Sequence, residues 1–520
     1  MFKKHVLPVF LALVMTIGML PVSNALSYDT VLEAQKDEAV TLATTLEETP
    51  IFEDSSGEYS FAERAADLVA RLSLAQKSVL MLADASSAIS ADQINNAANN
   101  SGLDKSKVPK ATKGLASWRF WNEASHGFSG TFSYPTAVAV GSTWDKEAFR
   151  TTTSHMGEIV REAAIRRGNP SVSIAYFSPT INLGRDPRWG RNDEIYSEDP
   201  YQTAIMANFF TSALEGVDPD TGKVLDPAGY KNGLTTLKHY TANNHECLGN
   251  SPMRLPPSRI HDGANTSLKA LRDYFTKPYG MIIKKGSVSA VMTAYSHVRV
   301  GPIGTRYDAY NDNDYIDGTA ESSSASSYLM STLLRQTFGL KGHIVSDCDS
   351  YKSAGYLLYT GTPPERAGGV LRAPTAGESF AWSLMYGGYL ECTGGVGGGF
   401  YPHRYDRVET QAAMMGVQTD KGTLTEHAFD IAAHTILTER IALGELDTIR
   451  IDNTAATGFK LLDDATARIA AQNAAAGGTN HNNNGATPER IEALRNLQKA
   501  AVVLLRNEEG VAREGKYDFS

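Results

Sequence analysis

With 520 residues, 42% of them hydrophobic, the chain can bury one large core or two. A formal net charge of −9 and the lack of any clustered Lys or Arg argue against nucleic acid as a partner, because phosphate contacts need grouped cations. Charged residues at 21% fit a globular chain rather than a disordered or fibrous one.

The N-terminus reads as a secretory signal peptide over residues 1–25. Lys3, Lys4 and His5 make a basic start, Val6 to Val22 is mostly apolar, and Ser23-Asn24-Ala25 offers small residues at a cleavage point. An uncleaved anchor is the competing reading, but the run is short for a span and holds Pro8 and Pro21. No later stretch approaches transmembrane length, so a secreted protein with no membrane partner is expected. The three cysteines, Cys247, Cys348 and Cys392, allow one disulfide and one free thiol in three possible pairings. None forms a CxxC pair, so neither a zinc knuckle nor a thioredoxin-like site is indicated.

Residues 26–58 are acidic and rich in Thr and Glu, and read as a loose N-terminal arm. From Tyr59 a helical period follows through Ala62, Leu68, Leu72, Leu74, Leu80 and Leu82, and then a polar stretch to Lys113 reads as an exposed loop. Strands and helices alternate after that. Strands are predicted at 171–177, 234–237, 288–292 and just before Asp347, with helices at 201–214, 264–283 and 328–338. Each β-run ends in polar or ionisable residues and is followed by a helix, the pattern of βαβ units with function at the C-terminal strand ends. The fold class expected is α/β, a (β/α)8 TIM-barrel-like domain over residues 59–450. Residues 451–486 read as an Ala/Asn/Thr/Gly-rich linker. Residues 487–520 open with an amphipathic helix presenting Ile491, Leu494, Leu497, Ala501 and Leu504, read as the start of an incomplete second domain. A doubly wound sheet is the alternative, but no glycine-rich phosphate turn follows the first strand. The run Gly394–Gly399 neither follows a clear strand nor opens a helix, and reads as a loop.

The strand Ile344-Val345 leads straight into Ser346-Asp347, which puts a carboxylate on a rigid element at the substrate-facing end of a barrel. A lone aspartate there could equally cap the next helix. Other catalytic patterns fail. His245-Glu246 lacks the second histidine of a zinc-protease helix, since position 249 is Gly249. Gly127 to Thr131 lacks the last glycine of a nucleophile elbow. What remains is a set of carboxylates, cations and aromatics at successive strand ends, the set that sugar hydrolysis needs.

Five ordered segments carry a resemblance. These are Trp121-Asn122-Glu123-Ala124-Ser125-His126-Gly127; Ser178 to Arg191 with its continuation Tyr196-Ser197-Glu198-Asp199-Pro200; Lys238 to Glu246; Met292-Thr293-Ala294-Tyr295; and Val345-Ser346-Asp347-Cys348-Asp349. Over roughly residues 60–510 the chain resembles glycoside hydrolase family 3. Glu123 and Cys348 look like the version found in its β-xylosidase and α-arabinofuranosidase branch.

The resemblance implies that Asp347 is the nucleophile of a retaining mechanism with a covalent glycosyl-enzyme. Arg191, Lys238 and His239 would hydrogen-bond the hydroxyls of the terminal sugar, Glu123 would accept from them, and Tyr295 would orient Asp347. A structural salt bridge is the competing role for Arg191. Arg185, Asp186 and Arg188 are assigned to a structural loop, and Trp189 to packing. No cofactor and no metal is implied, and the partner is an oligosaccharide. The sequence departs from the family at Ser296 to Gly301, at Tyr351-Lys352-Ser353, and in its acid/base. The family's usual glutamate acid comes from an α/β sandwich domain, of which this chain has only the first helix; an Asp-His pair after Lys-His, used by N-acetylglucosaminidases, has no match in 246–251. No acid/base is therefore named, and a truncated, inactive sugar-binding barrel competes with an active exo-acting enzyme. Xyloside, glucoside and arabinoside stay open, as does oligomeric state.

Overall fold

The computed structural model describes residues 50–54, 56–83, 87–97, 108–120, 122–124, 134–157, 160, 174–187, 189–243, 263–300, 322–348, 350, 375–392, 404–419, 421–447 and 488–501. The signal peptide, the linker, Cys247, the His245-Glu246 pair, Arg188, Tyr351 to Ser353 and Gly394–Gly399 lie outside them.

The described strands are β1 (Ala175–Tyr176), β2 (Leu234–Tyr240), β3 (Gly263–Thr266), β4 (Ala290–Thr293), β5 (His297–Val300), β6 (Ile344–Val345), β7 (Gly388–Leu390) and the short antiparallel pair β8 (Gln418–Thr419) and β9 (Gly422–Thr423). Five of them form one all-parallel sheet in the order β1-β2-β4-β6-β7. Backbone hydrogen bonds carry the sheet round on itself. The amide of Ala83 donates to Glu391 beyond β7, Phe120 donates to Ala83, and Phe177 donates to Asn122. Segments 81–83 and 118–124 thus bridge β7 to β1 and close a barrel of seven segments among the described residues. Closure leaves the five-stranded sheet no open edge among the described residues.

Crossover helices join successive strands, as parallel pairing requires. The helix Pro200–Glu215 starts at Asp199, whose carboxylate accepts the Gln202 amide at 2.7 Å, has Pro at its first position, and ends at Gly216 with φ 72°. The helix Ala376–Tyr386 has a Thr375/Glu378 capping box and ends at Gly387, φ 106°, immediately before β7. Local chemistry therefore fixes both ends of these helices before packing adds anything.

Four expectations change. Ile51–Glu53, in the expected loose arm, is a buried turn: Glu53 accepts the amides of Thr112 (2.6 Å) and Lys113 (2.9 Å), and Phe52 donates to Asp67 at 3.0 Å. The described part of the expected exposed loop holds a capped helix, Ala91–Asn96, and buries Ile89, Ile94, Val108 and Ala111. The expected helix at 264–283 begins as strand β3, which pairs in parallel with β5; Ser267 then caps a turn, and α-helix resumes at Lys277–Lys285. Hydrophobic spacing within one segment cannot register a partner thirty residues on. The helix Ser327–Phe338 is wound as a π-helix, and over three turns its buried Leu329, Met330, Leu333 and Leu334 fit either winding.

The helix Pro488–Ala500 packs on the helix Lys146–Thr153, with Thr152 Oγ1 donating to the Ala493 carbonyl at 3.2 Å. Leu497 is buried there as its spacing predicts, whereas Ile491 remains 37% exposed. Among the described residues no helix is long and apolar enough to cross a membrane.

The end of the barrel away from the predicted site is tied by buried charge. Glu215 accepts the amides and hydroxyls of Thr235 and Ser289 and pairs with Lys231 at 2.7 Å, while His343 meets Glu439 at 2.6 Å ahead of β6. On the helix Glu426–Ala442, His434 donates from Nε2 to the Ala62 carbonyl at 3.0 Å. Burial lowers its pKa from 6.5 to about 4, against the opposing pull of that hydrogen bond. A lowered pKa means the unfolded chain binds the proton first. The contribution is therefore complete above pH 6.5 and lost as pH falls toward 4, with a slope of up to about 1.4 kcal/mol per pH unit. Urea unfolding at pH 7, 5.5 and 4 should show His434→Gln flattening this loss; an unchanged slope would rule His434 out as its source.

Candidate active site

Asp347 stands two residues past β6, with its backbone amide donating to Thr293 of β4 at 3.2 Å. It is only 5% exposed, and its Oδ1 accepts the Cys348 amide at 2.7 Å. Cys348 is disulfide-bonded to Cys392, just past β7, which resolves the three pairings left open by the sequence. The Tyr295 hydroxyl donates to the Cys348 carbonyl, so this phenol supports the backbone immediately beside Asp347.

Lys238 and His239 lie on β2 itself, one strand removed from β6 across β4. Lys238 is 5% exposed, and an ammonium that deep must be paired. Its Nζ donates to Glu123 Oε2 at 2.5 Å. Glu123 also accepts the Ala124 amide at 3.0 Å and the Ser178 hydroxyl, yet its side chain is 48% exposed. It can therefore keep the lysine neutralised while still presenting oxygen to a ligand.

Asn182 frames His239 on three sides. Its Oδ1 accepts the His239 amide at 3.0 Å, its Nδ2 donates to the His239 carbonyl at 2.9 Å, and Oδ1 lies 3.2 Å from Nδ1 of the ring. An acceptor at Nδ1 places the ring proton there and leaves Nε2 to accept from Arg191, 3.2 Å away. In this tautomer the 3.8 Å approach of Nε2 to Asp347 Oδ2 is no ion pair.

Arg191 forks onto Glu194 through Nε (2.7 Å) and a terminal nitrogen (2.8 Å). Burial pushes the Glu194 carboxyl up, but Arg191, Lys238 and the Thr180 hydroxyl outweigh it and hold it below the usual carboxylate range. Arg191 thus forms a structural ion pair, with a partner outside the Arg185–Arg191 run, and also reaches His239. Arg185 reaches out of its loop, donating to the Ala242 carbonyl at 3.4 Å and covering the Phe275 ring at 4.8 Å. Trp189 is buried, as packing requires.

The structure thereby brings Glu123, Arg191, Lys238, His239, Tyr295 and Asp347 to the C-terminal ends of adjacent strands. Glu194, Thr180, Asn182 and Ser178 belong with them and were not singled out from the sequence. Glu194 had a signal, three residues after Arg191; the Asn182 bond spans 57 residues and had none. Among the described residues no cluster of His, Cys, Asp and Glu could hold a metal ion. One buried carboxylate, two cations already neutralised by carboxylates, an imidazole acceptor and a phenol suit a neutral, polyhydroxylated ligand.

The profile of the glycosyl hydrolase family 3 N-terminal domain matches residues 115–373, the span holding all six predicted site residues. The chain is a member of glycosyl hydrolase family 3. It is 27% identical over 399 residues to β-D-xylosidase 1 of Arabidopsis thaliana, an alignment covering 74% of this chain and 40% of that protein. Its fold is similar to a family 3 exo-β-xylosidase solved with a xylobiose aziridine activity-based probe, at TM-score 0.58 and 18% identity, covering 90% of this chain and 48% of that one. β-Glucosidase 3B of Thermotoga neapolitana, solved with glucose, aligns at TM-score 0.51 and 20% identity, covering 86% and 48%. The chain thus spans less than half of each of these proteins. The TIM-barrel-like α/β fold of this family agrees with the parallel barrel described above.

Replacing Asn182 with Ala should leave the buried His239 groups poorly satisfied and lower unfolding stability by about 1–3 kcal/mol. Thermal or urea unfolding measures it; a loss below about 0.5 kcal/mol, the size of an ordinary surface change, would remove Asn182 as the anchor of the ring.

Proposed function

We propose that this family 3 member is an exo-acting, retaining glycoside hydrolase that removes β-linked xylose, or else glucose or arabinose, from the non-reducing end of oligosaccharides. The observation that carries the reading is the placement of buried Asp347 just past the end of β6, with its Oδ2 3.8 Å from His239 Nε2. A carboxylate oxygen of Asp347 attacks the anomeric carbon as the glycosidic bond breaks, and the leaving oxygen takes a proton. Water then displaces Asp347 from the same carbon and gives up a proton, so two inversions yield retention. Glu123, Lys238, Arg191 and His239 hold the hydroxyls of the terminal sugar, and Tyr295 steadies the turn behind the nucleophile. Xylose ranks first because the xylosidase of Arabidopsis is among the similar proteins and because Glu123 and Cys348 match that branch.

Two aryl β-xylosides test the chemistry, one with a very good leaving group and one with a poor one. A good leaving group departs without protonation, so it reports Asp347 alone, while the poor one also requires an acid, an effect of roughly 10²–10⁴-fold. The parent chain should cleave the activated substrate and Asp347→Ala should fall to background. Equal, background-level rates for parent and Asp347→Ala would sink the reading.

Export through the leader at residues 1–25 is part of the same proposal, supported by a disulfide beside the nucleophile, which persists in oxidising compartments. The exported protein should begin near residue 26 by N-terminal sequencing; recovery of an intact leader in the exported material would refute cleavage there.

A further inference from the structure

Beneath Asp347 lies a row of buried hydroxyls that none of the sugar-binding roles uses. Ser322, Ser323 and Ser324 form a fully buried turn just ahead of the helix Ser327–Phe338, with Ser324 N–H donating to Ser322 Oγ at 3.2 Å and Ala325 N–H to the Ser322 carbonyl at 3.0 Å. Ser324 Oγ lies 2.6 Å from Thr293 Oγ1 on β4 and 2.5 Å from Ser350 Oγ beyond β6. Thr293 Oγ1 donates onward to the carbonyl of Val345 at 3.4 Å.

A hydroxyl gives one proton and has lone pairs to receive another. The order Ser350 to Ser324 to Thr293 to Val345 lets every member donate once, and it runs from one side of Asp347 to the other. Backbone bonds complete the bracket, with Ser350 N–H donating to the Asp347 carbonyl at 2.9 Å and Asp347 N–H to the Thr293 carbonyl at 3.2 Å. Ser324 is the bridging member. It belongs to neither β4 nor the turn that holds Asp347, so its hydroxyl couples the two.

We propose that Ser324 is a positioning residue for Asp347, fixing the turn 347–350 against β4 so that the carboxylate stays aimed at the anomeric carbon. The proposal rests on the glycosidase reading above. Ser324 does not face the sugar, so its loss should change the rate of covalent attack and leave binding alone. Displacing a nucleophile by about 1 Å can cost roughly 10²-fold.

The test compares the parent chain, Ser324→Ala, Ser350→Ala and a control, Ser287→Ala. Ser287 is equally buried, with its hydroxyl 2.5 Å from Asn208 Oδ1, but it precedes β4 at the opposite end of the barrel. Three quantities are read: kcat and KM on an activated aryl β-xyloside, the rate of covalent labelling of Asp347 by a 2-deoxy-2-fluoro aryl xyloside followed by intact mass, and the unfolding midpoint. Ser324→Ala and Ser350→Ala should lower kcat and the labelling rate roughly 10- to 100-fold with KM within about twofold, while Ser287→Ala loses stability only. If Ser324→Ala does not fold, Ser350→Ala decides. Rates within about twofold of the parent for the folded variants, or a loss carried by KM, would overturn the proposal while the glycosidase reading stands. A parent that neither turns over nor labels overturns that reading, and this proposal with it.

Discussion

The Lys238–Glu123 ion pair is the contact on which barrel and site both depend. An ammonium at the end of a buried strand is tolerable only with a carboxylate against it. That carboxylate comes from segment 118–124, the same segment whose backbone closes the barrel between residue 83 and β1. Closure therefore delivers Glu123, and Glu123 makes Lys238 affordable. Removing either partner would leave a charge stranded at a junction of the fold, so the pair cannot be tuned for a ligand without consequence for architecture.

The two ends of the barrel use polar groups in opposite ways. At the N-terminal ends of β2 and β4 the Glu215 carboxylate is surrounded by two amides, two hydroxyls and Lys231 and is fully buried, a closed and static arrangement. At the C-terminal ends the carboxylate of Glu123 is half exposed and Arg191 is shared between Glu194 and His239. Satisfaction there is partial and directional, which leaves polar atoms able to exchange water for the groups of a polar ligand.

Much of this was legible in the sequence because it is local. The alternation of β-runs and helices from 171 to Asp347 pointed to the parallel barrel, and the apolar run into Asp347 to the strand-end carboxylate, whereas the helix Ala376–Tyr386 and β7 were not read from the sequence. What was not legible depends on distant partners. Strand β3 exists because β5 lies beside it, and without that pairing Ala264 to Ile283 has the composition of a helix. Asn182 shows the same limit within the site, since nothing in its neighbourhood points to a ring 57 residues away. Conversely, hydrophobic residues at 51–52 and 108–111 sit inside polar surroundings and were lost in them, although the structure buries them beside Glu53.

The Cys348–Cys392 bridge has a topological effect beyond the turn it touches. With its ends 44 positions apart, it makes the chain from Cys348 to Cys392 a covalent ring that carries the helix Ala376–Tyr386. A peptide bond cut anywhere inside that ring opens the backbone without parting the pieces, because the sulfurs still join them. A protease nick between these cysteines would pass unnoticed on a non-reducing gel and show itself only after thiol treatment, so an apparently intact preparation can already be two polypeptides.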